Sequence, residues 1–163
     1  MSAAGNVLAV DYGKVRMGLA IGSRETGTAQ PLTTLARINR NEDMRRLREL
    51  VGRYGIKQVV VGLPLRLDGT RGEMAEEAER FANRVRKQIG VPVEMVDERL
   101  TSWEAERLLE EEFGRTRRED AVRNKKAERV SVDAVAATVI LREYLNQNLV
   151  QTPEKAPAEG TSK

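Results

Sequence analysis

Short apolar runs alternate with longer amphipathic stretches along this chain, and the two periodicities predict its elements. Val7, Leu8, Ala9 and Val10 form a continuous apolar run, as a strand buried on both faces would. The run ends at Asp11. Gly13 is expected to supply the positive φ of a tight turn, and apolar residues resume at Val15 as a second strand. Thr28 to Leu35 alternates as a third strand, where Pro31 predicts a sheet edge. Asn41 to Tyr54 is helical, because Met44, Leu47, Leu50 and Val51 recur at i, i+3, i+6 and i+7. Asn39 or Asn41 is its expected cap and Gly55 its end. Gln58 to Gly62 reads as another short buried strand, and Leu63 to Gly72, with Pro64, Gly69 and Gly72, as a loop. Glu73 to Gln88 places Met74, Ala78, Phe81, Ala82 and Val85 on one helical face, and Gly90 ends it. Val91 to Val96 is a strand running into Asp97-Glu98-Arg99. Thr101 to Phe113 and Val132 to Leu145 are two further helices.

The order β-β-β-α-β-α-β-α-α implies a mixed sheet covered by helices, an α/β fold. At 163 residues the chain suits one domain over residues 1–149. From Gln151 onward, Pro153, Pro157, Gly160 and charged or small residues predict a disordered tail over 150–163.

Composition narrows the chemistry. There is no cysteine and no histidine, which excludes disulfides, thiolate or imidazole metal sites and every histidine-based triad. Carboxylates, Lys, Ser, Thr and Tyr remain. Aromatic residues at 4% are too scarce for large base-stacking platforms. A net charge of +3 and a pI near 9.4 lean towards a polyanionic partner. No apolar run is long enough to span a membrane and no signal peptide is evident, so a cytoplasmic protein without membrane contact is expected.

Three acidic features then stand out. Asp11 ends an apolar strand, where a carboxylate is costly to bury unless a cation or donor array meets it. Asp97 and Glu98 follow the apolar run Val93 to Val96, at a strand end of the kind where α/β sheets place ligands. Consecutive strand residues face opposite sides, so while the strand persists only one of the pair can point at a given site. Either could instead start the next helix, although Thr101 with Glu104 makes the better capping box. Asp133 lies within about 40° of Ala137, Ile140 and Tyr144 on a helix of about 100° per residue. Ser131, Thr138 and Arg142 fall on the far side. With Ser131 as N-cap, Asp133 would also sit in a first turn that favours an acid. Three carboxylates gathered by one sheet repel each other and demand cations. Hard oxygen donors without histidine or cysteine favour Mg²⁺ or Mn²⁺, with Asp11, Asp97 or Glu98, and Asp133 as candidate metal ligands. Two-metal phosphodiester cleavage needs only carboxylates and substrate phosphate.

Arg115 to Arg129 carries seven cations against three acids, a net +4, with little apolar periodicity. Arg117, Arg118, Arg123, Lys125 and Lys126 make it suited to sequence-independent phosphate contact, and the alternative is an ordinary solvated loop. Arg37 to Lys57 is also basic, but its amphipathicity reads as a solvated helix face. In the loop from Gly62 to Thr70, Gly62 and Gly69 could admit close backbone approach to nucleic acid, or its three leucines could plug the core.

Four motifs in order, Asp11-Tyr12-Gly13 with Arg16 and Gly18, Gly62-Leu63-Pro64-Leu65 with Asp68-Gly69, Asp97-Glu98-Arg99-Leu100-Thr101-Ser102, and Asp133-Ala134-Val135-Ala136-Ala137, closely resemble the YqgF family of bacterial RuvX proteins over about residues 6–146. Members are described as Holliday junction resolvases and as pre-16S rRNA nucleases. The resemblance implies a ribonuclease H-like fold, a five-stranded mixed sheet flanked by helices. It also implies a metal-dependent nuclease, with maturation of the 5′ end of 16S rRNA in ribosome biogenesis as the favoured role. The catalytic acids it implies are Asp11, one of Asp97 and Glu98 with Glu98 preferred, and Asp133. Arg16 and Arg99 would hold substrate phosphate or orient the acids. The expected partner is structured RNA, namely pre-16S rRNA, or else branched DNA, bound by a monomer or a homodimer. A non-catalytic assembly factor is the competing binding role. The Asp-x-Gly hairpin also resembles the phosphate loop of actin-like and sugar-kinase ATPases, which need two such domains around a cleft and therefore rank last.

Overall fold

Residues 5–66, 68–100, 107, 111 and 133–147 are described by the structure, a computed structural model. Its strands are β1 (Asn6–Asp11), β2 (Arg16–Ser23), β3 (Ala29–Ala36), β4 (Ile56–Leu63) and β5 (Val93–Asp97). They form one sheet in the order β3-β2-β1-β4-β5. The first three strands pair antiparallel through tight connections, whereas β4 lies parallel to β1 and β5 parallel to β4. Parallel neighbours need a crossover, which α2 (Glu73–Gln88) supplies between β4 and β5. Helix α1 (Arg40–Arg53) supplies the return from β3 to β4. A further helix spans 133–147.

The expected elements are present wherever residues are described, with ends shifted by a few residues. Of the helix expected over 101–113, residues 107 and 111 are helical and paired, Arg107 Nη1 to Glu111 Oε2 at 3.1 Å; its remainder lies outside the described residues. So does the tail. β3 is an edge strand as Pro31 predicts, and the register slips beside it, between Leu19 and Ala20 of β2. Asn39 caps α1, its side-chain oxygen accepting the Glu42 N–H at 2.8 Å. Among the described residues no helix is long and apolar enough to cross a membrane.

Strand alternation sends side chains to two separate cores. Leu8, Val10, Met17, Leu19, Val59, Val61 and Val93 face α1 and α2, where Met44, Leu47, Ala78, Phe81 and Val85 cover them. Val7, Ala9, Ala20, Val60 and Val96 face the opposite way, onto Ala137, Ile140, Leu141, Tyr144 and Leu145 of helix 133–147. That helix is buried beyond its sheet-facing stripe. Thr138, expected on the polar side, is fully buried, and its hydroxyl donates to the Ala134 carbonyl at 2.8 Å.

Candidate active site

The alternation that builds the second core also aims Asp11. Val7, Ala9 and Asp11 share one face of β1, so the carboxylate continues the row that packs against helix 133–147. The same counting applies at β5. Val96 faces that helix and Asp97, the last strand residue, has the opposite parity; Glu98, just past the strand, reaches the helix side, its carboxylate lying against Gly62 where Ile140 also packs. The chain turns into a single 3₁₀ turn, Glu98–Leu100, directly after the strand. Asp133 enters from the helix, at its first described residue.

Two glycines make this convergence possible, and their side-chain space had no signature in the periodicity. Gly18 is the β2 partner of Asp11 in the sheet register. A Cβ built on it would overlap the Asp133 carbonyl oxygen and lie 2.5 Å from the carbonyl carbon. The helix backbone therefore rests directly on the sheet beside Asp11. On β4, a Cβ on Gly62 would overlap the Glu98 carboxylate and come within 2.7 Å of Ile140 Cδ1. Gly13 acts differently from expectation. Its φ is not positive; a glycine is needed there because a Cβ would lie 2.5 Å from the Arg16 carbonyl oxygen.

Electrostatics follow from this crowding. Burial pushes the Asp11 carboxyl up to about 6; a hydrogen bond with Glu98 opposes the rise, and the Asp133 charge adds to it. Burial and the neighbouring Asp133 charge both make an ionised Asp11 costly, so this group favours a nearby cation. Arg16 meets Asp133 instead, Nε to Oδ2 at 2.7 Å, and so orients that acid. Asp97 is not brought to this group. Its carboxylate accepts the Arg99 backbone N–H at 2.9 Å and the guanidinium at 2.7 Å, and these bonds hold it below its ordinary range. Arg99 in turn lies under the loop after β4, 3.3 Å from where a Gly69 side chain would begin. Leu63 at the end of β4 and Leu65 of that loop are half-buried and join neither core, and Leu67 is outside the described residues. Also outside them are Arg117, Arg118, Arg123, Lys125 and Lys126.

A clamp behind the site escaped the sequence reading. Asp43 of α1 is 2% exposed and accepts from Arg37 Nε at 2.8 Å, from Arg46 Nη2 at 3.0 Å and from the Ile38 N–H at 3.1 Å. Arg37 also donates to the Gly13 carbonyl at 2.8 Å and stacks over the Tyr12 ring, 4.8 Å from its centroid. The turn that follows Asp11 is thereby tied to α1. Burial alone would raise the Asp43 carboxyl, but the hydrogen bonds from Arg37, Ile38 and Arg46 outweigh it and hold it below 3.8. A depressed carboxylate contributes stability that is present above the ordinary value and lost as pH falls through the folded one. Asp43→Asn is expected to cost about 3 kcal/mol, because it leaves two arginines facing a lost charge. Urea midpoints should show a gap between variant and wild type at pH 7 that closes below about pH 4. A gap of constant size would mean that the Asp43 charge does not matter.

The residues suit a divalent cation in donor type: hard carboxylate oxygens, on a half-buried Asp11 and on Glu98 beside it. Among the described residues no three acids close around a single point, since Asp133 is turned to Arg16. The arrangement therefore fits a cation held between Asp11 and Glu98.

A family model described as RuvX, Holliday junction resolvase, matches residues 5–147. A protein of Anaeromyxobacter sp. (strain K) named "Putative pre-16S rRNA nuclease" is 43% identical over 140 residues, covering 86% of this chain and 96% of that relative. A Moorella thermoacetica protein of the same name is 40% identical over 142 residues, with 86% and 94% covered. Among solved structures, Thermus thermophilus RuvC is 15% identical, with a TM-score of 0.56 over 88% of this chain and 96% of that one. That likeness speaks for the ribonuclease H-like fold.

Proposed function

This chain belongs to the RuvX family, and from that premise we propose that it is a metal-dependent endonuclease that cleaves phosphodiester bonds in structured RNA, the 5′ end of pre-16S rRNA in particular. One observation carries the reading: Asp11, Glu98 and Asp133 come from three separate elements to one face of the sheet, with Gly18 and Gly62 cleared to seat them.

Asp11 and Glu98 would hold Mg²⁺ or Mn²⁺, which when bound supplies a polarised water and stabilises the leaving oxygen. The chain's own residues do the rest. Arg16 holds Asp133 beside the pair and would add a positive charge near the scissile phosphate. Arg99 fixes the 3₁₀ turn through Asp97, so its part is to position Glu98.

The domain responsible is taken as residues 1–149, acting in the cytoplasm. The family description keeps branched DNA as the second substrate, and symmetric cutting there would call for a two-fold dimer. The test is cleavage of a 5′-extended 16S rRNA precursor and of a synthetic four-way DNA junction, with Mg²⁺ or Mn²⁺ and with EDTA. Cutting of the RNA alone, abolished by EDTA, is the expected result. Symmetric junction cutting would move the substrate to DNA. Binding of both without cutting of either would make the protein an assembly factor and overturn the catalytic reading.

A further inference from the structure

On the opposite face from Asp11, the Tyr12 ring is buried against Phe81 at 5.0 Å. Its hydroxyl end collects cations: Arg37 from the β3–α1 connection, Arg84 from α2, and Arg40 near them at the start of α1. Arg37 is matched by Asp43, which Arg46 also engages. Arg40 and Arg84 are not matched; among the described residues no ion pair meets either. The Arg84 Nε is fully buried and has no hydrogen-bond partner. Burial, with the like charges of Arg40 and Arg37, outweighs the hydrogen bond with Tyr12 and holds that guanidinium below its ordinary range.

The surroundings say which anion. Val15 is 67% exposed and Ile38 is 61% exposed, the two exposed large apolar side chains of the described residues. They sit on touching segments, since the Arg37 N–H donates to the Val15 carbonyl at 2.8 Å. Lys14 is exposed in the same turn, and Arg16, where the turn ends, reaches Asp133. Free phosphate has no use for an apolar lip beside its site. A nucleic-acid strand does, because each phosphate is followed by a sugar and a base.

We propose that Arg40 and Arg84 form a phosphate-binding subsite beside Tyr12, with Val15 and Ile38 contacting a sugar or base of the same strand. The strand then crosses the turn between Tyr12 and Arg16 as it leaves the acidic face. The subsite deepens the nuclease reading and rests on it.

The test is equilibrium binding of a mixed-sequence single-stranded RNA of about 20 nucleotides to the full chain in EDTA, as a function of salt, so that no cleavage enters. Arg40→Ala with Arg84→Ala should weaken binding about 10- to 100-fold and lower the slope of log affinity against log salt by about 0.7, one phosphate contact. Val15→Ser with Ile38→Ser should weaken it about 3- to 10-fold at an unchanged slope, since no charge is removed. Arg84→Lys should keep the slope. If Arg84→Ala does not fold, exposed Arg40→Ala alone should still weaken binding and lower the slope, by less than about 0.7. Wild-type affinity and slope in the arginine variants would overturn the subsite and leave the cleavage reading standing. An apolar-lip variant that binds like wild type would overturn the strand as occupant. A wild-type protein that binds no RNA or DNA would overturn both the subsite and the nucleic-acid reading.

Discussion

Asp11→Asn is expected to abolish cleavage and, in metal-free buffer, to make the protein more stable. The loss should be roughly a thousand-fold or more, because the amide keeps the shape of the side chain but removes the charge the cation and the scissile phosphate chemistry depend on. The gain follows from the crowding of the site. Asp11 ends a buried strand beside Glu98 and Asp133, and its carboxyl is pushed up to about 6 by burial first, with the Asp133 charge adding to the rise. A carboxyl whose folded value lies above its unfolded one destabilises the fold at pH above that value, and the cost disappears as pH falls below the unfolded value. At neutral pH the cost is on the order of 1–3 kcal/mol, and asparagine removes it. Thermal unfolding in EDTA should therefore show the variant several degrees above wild type at pH 7.5, with the two converging towards pH 4. Mg²⁺ should raise the wild type and leave the variant unmoved. A variant less stable than wild type at pH 7.5 would mean that Asp11 is a structural acid satisfied by its surroundings.

How far the site was legible depended on whether it followed from alternation or from contact. The facing of Asp11 is a matter of counting by two from Val7, which a strand enforces, whereas alternation left Asp97 and Glu98 open and only the family resemblance favoured Glu98. The helical face of Asp133 followed from Ala137, Ile140 and Tyr144 in the same way. Contacts between distant segments had no such period. Arg16 and Asp133 are 117 residues apart in sequence and meet only because Gly18 lets a helix backbone settle on β2. Gly13 had a visible signal with a mistaken cause: the turn needs the absence of a Cβ, not the left-handed region. Asp43 lay six residues from Arg37 and still escaped notice, because an acid in the first turn of a basic helix reads as a solvated charge. Burial of a charge is a tertiary fact. Thr138 misled for the mirror reason, since a hydroxyl bonded to its own helix can be buried at little cost.

Gly18→Ala should be the most damaging single methyl group in the described part of the molecule. The atoms it meets are the Asp133 carbonyl oxygen, its carbon at 2.5 Å and the Ala134 nitrogen at 3.2 Å, all backbone, so no rotamer change relieves the overlap. The helix must lift from the sheet, which loosens Ala137, Ile140 and Leu141 from Ala9, Ala20 and Val60 and moves Asp133 away from Asp11. Overpacking of this kind costs about 3 kcal/mol. A displacement near 1 Å at the acids costs about 100-fold in rate. Gly62→Ala separates the two effects. Its methyl meets the Glu98 carboxylate and Ile140 Cδ1, the mobile ends of side chains, so they can swing aside with little loss of stability. Urea midpoints and cleavage rates measured together should place Gly18→Ala low in both and Gly62→Ala low in rate alone. If Gly18→Ala keeps the wild-type midpoint, the helix is not seated on β2 as described, and the convergence of Asp133 with Asp11 must have another cause.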